Sequence, residues 1–257
     1  MADDRWEEGA TAALKTAGAP AILVPLARGP VRVGDDAVID LSEQIGAVPG
    51  AAVSWLGRTY RVVRPSLSDL FGSLRRGAQI VTPKDAVELL YLAGVGPGSR
   101  VAEAGAGSGA LTIFLAHAVG ESGHVTSYDR RRDFLDAAKA NLERAGLSGR
   151  VTFRERDVAR DGMDETELSS VVLDLPEPWG VLGAARTAIR PGGYVATYTP
   201  TYNQLERTVQ SLRAAGFDEV RALELWERAL HVGDGGTRPS FEMLGHTGFL
   251  AAGRRVD

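Results

Sequence analysis

Four carboxylates stand beyond residue 100, each at the end of a short apolar or β-branched run: Glu103 in RVAEAG, Asp129 in HVTSYD, Asp157 in VTFRERD and Asp174 in VVLDLPEPW. Carboxylates accept hydrogen bonds from hydroxyls and amines; gathered in one crevice they tolerate a cation and disfavour a pyrophosphate. Taken singly, each reads equally well as a helix cap or a solvated turn, and Asp174 as the N-cap of an ordinary strand-to-helix connection. Their regular placement is what points to a common site. In open α/β sheets ligands gather outside the carboxyl ends of the strands, where all four are expected. After Asp174 the loop LPEPW is stiffened by Pro176 and Pro178, which fix φ and remove backbone donors, so the carboxylate and Trp179 are held in place.

The first of these strands runs into EAGAGSG and then the apolar-periodic ALTIFLAHAVG: a strand, a glycine cluster and a helix in succession. Glycine lets the backbone come close to a ligand and take φ values other residues avoid, and a helix N-terminus presents unpaired N–H groups. Gly105, Gly107 and Gly109 therefore mark a nucleotide-binding turn. Asp129 follows the last glycine by about twenty residues, the usual distance for an acid that binds ribose hydroxyls.

The frame that must position these groups is an alternation of strands and helices. Strands are predicted near residues 100, 125, 152, 172 and 194, with helices at Asp85 to Leu92, Phe134 to Arg144 and between the later strands. FDEVRALELWERALHV and HTGFLAAGRR read as two further strands forming an antiparallel pair. The expected fold class is α/β, a doubly wound Rossmann-like sheet. Before residue 65, AILVPLA, AVIDL, AAVSWL and TYRVVRP are short strand-like runs broken by Gly, Pro and Asp. Residues 1–65 are thus expected to form a small β-rich domain, and residues 66–257 the ligand-binding one.

Composition narrows the class. The 257 residues are 44% hydrophobic, ordinary for a packed core, and no run approaches the roughly 18 apolar residues of a membrane span. The acidic start MADDRWEEGA lacks the basic region and apolar core of a signal peptide, which argues for a cytoplasmic location. Without cysteine there is no disulfide, thiolate metal site or cysteine nucleophile, and His117, His124, His231 and His246 lack ligand spacing, so no metal is expected. The net charge of −4 does not announce a nucleic-acid binder, yet Arg58, Arg61, Arg64, Arg75, Arg76 and Lys84 cluster before the glycine turn, and Arg130 to Arg132 follow Asp129. They read either as a solvated sheet face or as a local basic footprint.

EAGAGSG departs from the full G-x-G-x-x-G fingerprint and resembles the first motif of class I S-adenosylmethionine-dependent methyltransferases. Across most of the chain VRPSLSDLFGSLRRGAQIVTPKD, EAGAGSGALT, DLPEPW, YTPTYNQ and GHTGFL resemble, in order, the tRNA (adenine-58-N1)-methyltransferases. The resemblance implies S-adenosylmethionine as cofactor, tRNA as substrate and a homotetramer. It implies that Gly105, Gly107 and Gly109, with Glu103, Ser108 and Leu111, approach the methionine and ribose of the cofactor. Asp129 with Arg130 is then expected at the ribose hydroxyls, Asp157 with Val158 at the adenine amine, and residues from Gln79 to Pro83 along the same site. Asp174 becomes the catalytic residue, and the β-rich domain helps to hold tRNA. Thr82 departs from the tyrosine that some members carry there.

The implied reaction asks for alignment more than for an acid or base, because adenine N1 carries an in-plane lone pair and a sulfonium methyl is already activated. A carboxylate that accepts from the exocyclic amine orients the ring and stabilises the charge the methylated base acquires. An adenine inside folded RNA must first be swung out. Trp179, Tyr198 and Tyr202 are candidates to stack on it, His246 and Thr247 to bound its pocket, and Arg75 and Arg76 to contact RNA, although each aromatic serves equally as packing beneath a loop. The target is adenine 58, or both 57 and 58. Two other readings share the motifs: a methyltransferase for a small molecule or protein, like the precorrin or isoaspartyl enzymes, and a noncatalytic RNA-binding subunit.

Overall fold

Short β-branched and apolar runs separated by turns build the first part of the protein. The computed structural model describes residues 4–34, 37–75 and 80–257. It begins with β1 (Thr11–Lys15), β2 (Ile22–Pro25), β3 (Pro30–Val33), β4 (Ala37–Asp40), β5 (Ala52–Trp55) and β6 (Arg58–Val63). Four of these form an antiparallel sheet in the order β2-β1-β6-β5, and β3 pairs with β4 in a separate hairpin. Leu14, Val24, Leu26, Tyr60 and Val62 close over Trp6 as one core. β1 and β3 arise where the sequence suggested no strand. TAALK shows no alternation because Ala12, Ala13 and Leu14 are all buried, and Pro30 disguises β3 as a turn.

Two helices follow. α1 (Leu67–Gly72) opens with a reciprocal cap: the Ser66 hydroxyl accepts from the Asp69 N–H at 3.3 Å, and the Asp69 carboxylate accepts from the Ser66 N–H at 3.0 Å. α2 (Pro83–Leu92) starts on a proline, whose fixed φ suits the first helical position. The chain then alternates through β7 (Arg100–Ala104), α3 (Ala110–Val119), β8 (His124–Asp129), α4 (Arg132–Ala145), β9 (Val151–Glu155), α5 (Val158–Asp161) and β10 (Leu168–Leu173). It continues with α6 (Leu182–Ala188), β11 (Ile189–Thr199), α7 (Tyr202–Ala214) and β12 (Asp218–Leu223), and ends with the hairpin β13 (Leu230–Gly233) and β14 (Gly236–Pro239) and with β15 (Phe249–Arg254).

The large sheet has seven strands in the order β12-β15-β11-β10-β7-β8-β9. From β11 to β9 all neighbours are parallel, whereas β15 runs antiparallel to both β11 and β12. Parallel strands covered on both faces carry unbroken apolar runs, as Val171, Val172 and Leu173 do at 0% exposure. This is the doubly wound sheet that the alternation predicted. The strand order reverses between β7 and β10, the switch point at which such sheets bind ligands. The C-terminal pair is present with one correction. Its first strand stops at Leu223, and the fully exposed Leu230–Gly233 turns away to pair with Gly236–Pro239, since it has no core face to join.

α4 buries Leu135, Ala138, Leu142 and Ala145 at helical spacing and packs on α3, which is itself buried on almost every side. Gly146 caps α4 against the small sheet: a Cβ there would lie 2.4 Å from the Thr11 hydroxyl. Lys15 of β1 pairs with Asp69 of α1 at 2.6 Å. Among the described residues no helix is long and apolar enough to cross a membrane.

Candidate active site

A cavity of about 650 Å³ opens over the carboxyl ends of β7, β8 and β10. Its floor exists because Gly105 has no side chain: a Cβ there would stand 2.0 Å from the Asp174 carbonyl oxygen, so only glycine lets the ends of β7 and β10 meet. Gly107 adopts φ +51, and a Cβ on it would meet nothing within 4 Å, so the space it leaves belongs to the cavity. Gly109 is different. It precedes α3 as its N-cap, and its missing side chain makes room for Leu142 and Ala138 of α4 at 3.0 and 3.2 Å. Gly105 and Gly107 line the cavity; of the others expected there, Gly109 and Leu111 are turned into the helix packing, and Ser108 is buried with its hydroxyl unpartnered among the described residues.

Asp129 orders the turn from the other side, accepting from the Gly107 N–H at 3.1 Å and the Arg131 N–H at 2.9 Å, one on each oxygen. Each oxygen keeps a second lone pair for a ligand. Asp157 caps α5 by accepting from the Ala159 N–H at 3.1 Å and, with Val158, forms part of the cavity wall, so capping and lining coexist in one residue. Arg130 is on the rim as expected. Phe134, Arg131 and Arg156 line the wall as well and were not anticipated. They stand beside the acids in sequence, which was the signal available. The Arg131 guanidinium lies 3.7 Å from the Phe134 ring centre, and Arg156 is held by Asp164 at 2.7 Å.

Glu103 departs from its expected place. It is one residue short of the end of β7, so its side chain falls on the α3 face and is 0% exposed instead of reaching the crevice. Its Oε2 accepts from the Thr112 and Ser127 hydroxyls, both at 2.6 Å, and burial pushes the carboxyl up to about 8 against those two bonds. Asp174 does reach the cavity. Its N–H donates to the Ala104 carbonyl at 2.9 Å, fixing the loop, while its carboxylate has no hydrogen-bond partner among the described residues. Burial, aided by the negative charge of Asp129, pushes it up to about 7.

Beyond Asp174, the loop is braced by α7: Gln204 Nε2 donates to the Pro176 carbonyl at 2.9 Å, and the Thr201 side chain caps the helix by accepting from the Gln204 N–H. The aromatic candidates separate here. Trp179 is half-buried with the Arg207 guanidinium 4.2 Å from its ring centre, and it does not line the cavity. Tyr198 is buried, donates its hydroxyl to the Thr247 carbonyl at 2.5 Å, and fills the space a side chain on Gly248 would need. Both are packed, for the physical reason that each already has a partner across its polar or aromatic face. Tyr202 alone keeps an open face: it is 67% exposed, its ring 4.3 Å from Phe249.

His246 and Thr247 hold this edge together. Thr247 Oγ1 accepts from Lys84 Nζ at 2.7 Å, and Lys84 pairs with the fully buried Asp85 at 2.6 Å; Thr82 donates its hydroxyl to the same carboxylate at 2.8 Å. His246 reaches Glu224 through Nδ1 at 2.7 Å and the Pro200 carbonyl through Nε2 at 2.8 Å. Both partners only accept, so the ring can donate to both only when protonated, and the bond to Glu224 raises its pKa. Arg75 is exposed, as an RNA contact must be. Gln79 and Arg76 lie outside the described residues.

A cavity walled by carboxylates, with a partnerless one where two strands meet, suits a cationic nucleoside and an amine-bearing acceptor. Residues 65–235, more than half of the chain, match the family described as tRNA methyltransferase complex GCD14 subunit. The chain is 34% identical over 223 residues to tRNA (adenine(57)-N(1)/adenine(58)-N(1))-methyltransferase TrmI of Methanocaldococcus jannaschii, covering 77% of this chain and 79% of the relative. A SAM-dependent O-methyltransferase from Thermotoga maritima shares the fold with a TM-score of 0.78 at 31% identity, over 100% of this chain and 97% of that one. The tRNA (m1A58) methyltransferase TrmI from Aquifex aeolicus gives a TM-score of 0.73 at 26% identity, over 98% and 99%. The motifs, the strand order and these matches agree: the chain belongs to the tRNA methyltransferase complex GCD14 subunit family.

Proposed function

We propose that this chain transfers the methyl group of S-adenosylmethionine to N1 of adenine in the T-loop of tRNA, at position 58 or at 57 and 58. The observation that carries the reading is Asp174, a carboxylate without a hydrogen-bond partner among the described residues, on the cavity at the switch point of the sheet. The residues fit the cofactor. Gly107 leaves open the space a side chain would fill, and Asp129 and Asp157 keep acceptor capacity for hydroxyls and an amine. When bound, the cofactor supplies an electrophilic methyl on a cationic sulfur.

The chain's own work is orientation. Ionised Asp174 accepts from the exocyclic amine of adenine, fixes the ring, and stabilises the positive charge on the methylated base. The attacking nitrogen carries a free lone pair, so no general base is assigned and no metal is needed. Tyr202 offers its open face to the RNA, while Trp179 and Tyr198 act by holding the loops. Residues 1–65 form the unit that helps hold tRNA, and residues 66–257 the catalytic unit. Trp226, Leu230, Val232, Phe241 and Leu244 are exposed apolar side chains close together in sequence, of the kind that assembly into a homo-oligomer, a tetramer by family resemblance, would cover. The cytoplasm, where tRNA is modified, is the location this activity requires.

A small-molecule or protein acceptor is not favoured. The likeness to an O-methyltransferase is one of fold, whereas the family match is to tRNA enzymes. A noncatalytic subunit is not favoured either, because Gly105, Gly107 and Asp174 are all retained around an open cavity. The test is incubation with labelled S-adenosylmethionine and unmodified tRNA transcript, then nuclease digestion and mass analysis. The expected product is 1-methyladenosine mapped to the T-loop; cofactor binding without any transfer to RNA would overturn the reading.

A further inference from the structure

Away from the cavity, one cluster of charge is unbalanced. Asn141 of α4 is 3% exposed and uses its entire amide. Its Nδ2 donates to the Ser108 carbonyl at 2.7 Å and to the Arg75 carbonyl at 3.2 Å. Its Oδ1 accepts from the Arg75 N–H at 3.2 Å and from Arg144 Nη2 at 2.5 Å. Arg144 Nη2 also donates to the Ser73 carbonyl at 3.1 Å. The backbone of Arg75 and the guanidinium of Arg144 therefore share one acceptor atom, which sets the two arginines side by side.

Neither arginine has an ion-pair partner among the described residues. Asp69, whose carbonyl accepts from the Ser73 N–H, has its carboxylate committed to Lys15 at 2.6 Å and to the Ser66 hydroxyl at 2.7 Å. Arg144 occupies the last turn of α4, where the negative end of a helix favours a cation. That accounts for one arginine, but not for a second beside it with no acid between them. Burial and the neighbouring charge of Arg75 both push the Arg144 pKa down, as expected of like charges lacking a counter-ion. A half-buried guanidinium anchored through Nη2 and an exposed one beside it make a fork suited to the oxygens of a phosphate.

Resting on the reading that the substrate is RNA, we propose that Arg75 and Arg144, preset by Asn141, form a phosphate site that takes one backbone phosphate of the RNA. Through the Ser108 carbonyl, the same amide ties that site to the glycine turn.

The experiment compares wild type with Arg144→Gln and Arg75→Gln, titrating unmodified tRNA transcript across a salt series without cofactor, with inorganic phosphate as a second probe in thermal melts. Each substitution is expected to weaken RNA binding roughly tenfold at low salt and to flatten the log affinity against log salt slope by about one, leaving S-adenosylmethionine affinity unchanged. Arg75→Gln, at an exposed position, carries the test if Arg144→Gln lowers stability. Unchanged slopes and unchanged phosphate-induced stabilisation in both variants overturn the site. Unchanged slopes together with loss of phosphate-induced stabilisation make it a site for free anions and overturn the RNA assignment. Flattened slopes in an enzyme that forms no 1-methyladenosine would leave the site standing and remove the proposed reaction.

Discussion

On the β7 to β9 side of Asp174, backbone and carboxylates enclose a finished cavity; on the β11 side, most groups that could meet a base are already engaged by the protein. Asp129 and Asp157 keep spare lone pairs there, and Gly107 keeps spare volume. Across Asp174, Tyr198 is tied to Thr247, Trp179 is covered by Arg207, and only Tyr202 is free. A small cofactor of fixed shape can be met by backbone geometry alone. An adenine brought by a large folded RNA needs few free groups at the point of reaction, because the rest of the RNA shares the work of positioning.

The contrast breaks first at Asp174. Asp174→Ala should lower turnover by about 10² to 10³ with S-adenosylmethionine affinity unchanged, read by single-turnover kinetics and calorimetry. A wild-type rate would leave the acceptor side without its anchor. Gly107→Val should then remove cofactor binding, since a β-branched side chain at φ +51 is strained and fills the cavity; normal binding would make that glycine merely structural. Tyr202→Ala should raise the KM for tRNA roughly tenfold with kcat little changed, whereas Trp179→Ala should lower Tm and leave KM near wild type. Equal effects of the two would erase the distinction between a free and a packed ring.

The smallest effect is on stability. Asp174 is raised from the ordinary 3.8 to about 7, so its contribution to stability is full below about pH 4 and is lost as pH rises through 7. Asp174→Asn cannot ionise and keeps that contribution. Calorimetry at pH 8 should show the variant melting a few degrees above wild type, and at pH 4 no difference. The same shift predicts that wild-type turnover climbs with pH through about 7 when methyl transfer limits the rate.

The large sheet was legible because its inner strands are buried on both faces and alternate with helices, and because Asp129, Asp157 and Asp174 stand at or just beyond the ends of β8, β9 and β10. The small sheet was less so: β1 hides in three consecutive buried residues, and β3 behind a proline. Residues of the cavity wall were legible where lining depends on position along the chain, as for Asp129, Asp157 and Asp174. They were not where it depends on which way a side chain turns. Glu103 misses the crevice by one residue of strand alternation, and the space beside Gly109 is taken by α4. The Lys84, Asp85 and Thr247 cluster joins residues far apart in the chain, a relation that no local pattern carries.

One feature of the sheet bears on how the protein is made. β15, which leaves the ribosome after the other strands of the sheet, takes an interior place between β11 and β12. Until it arrives, β11 is an open edge, Phe249 is absent from beneath Tyr202, and the Tyr198 hydroxyl lacks the Thr247 carbonyl. The nascent chain thus holds a nearly complete cavity beside an unfinished β11 side. A chain cut short before residue 249 is not a weaker enzyme but a sheet with an unpaired parallel strand exposed, a template for misassembly.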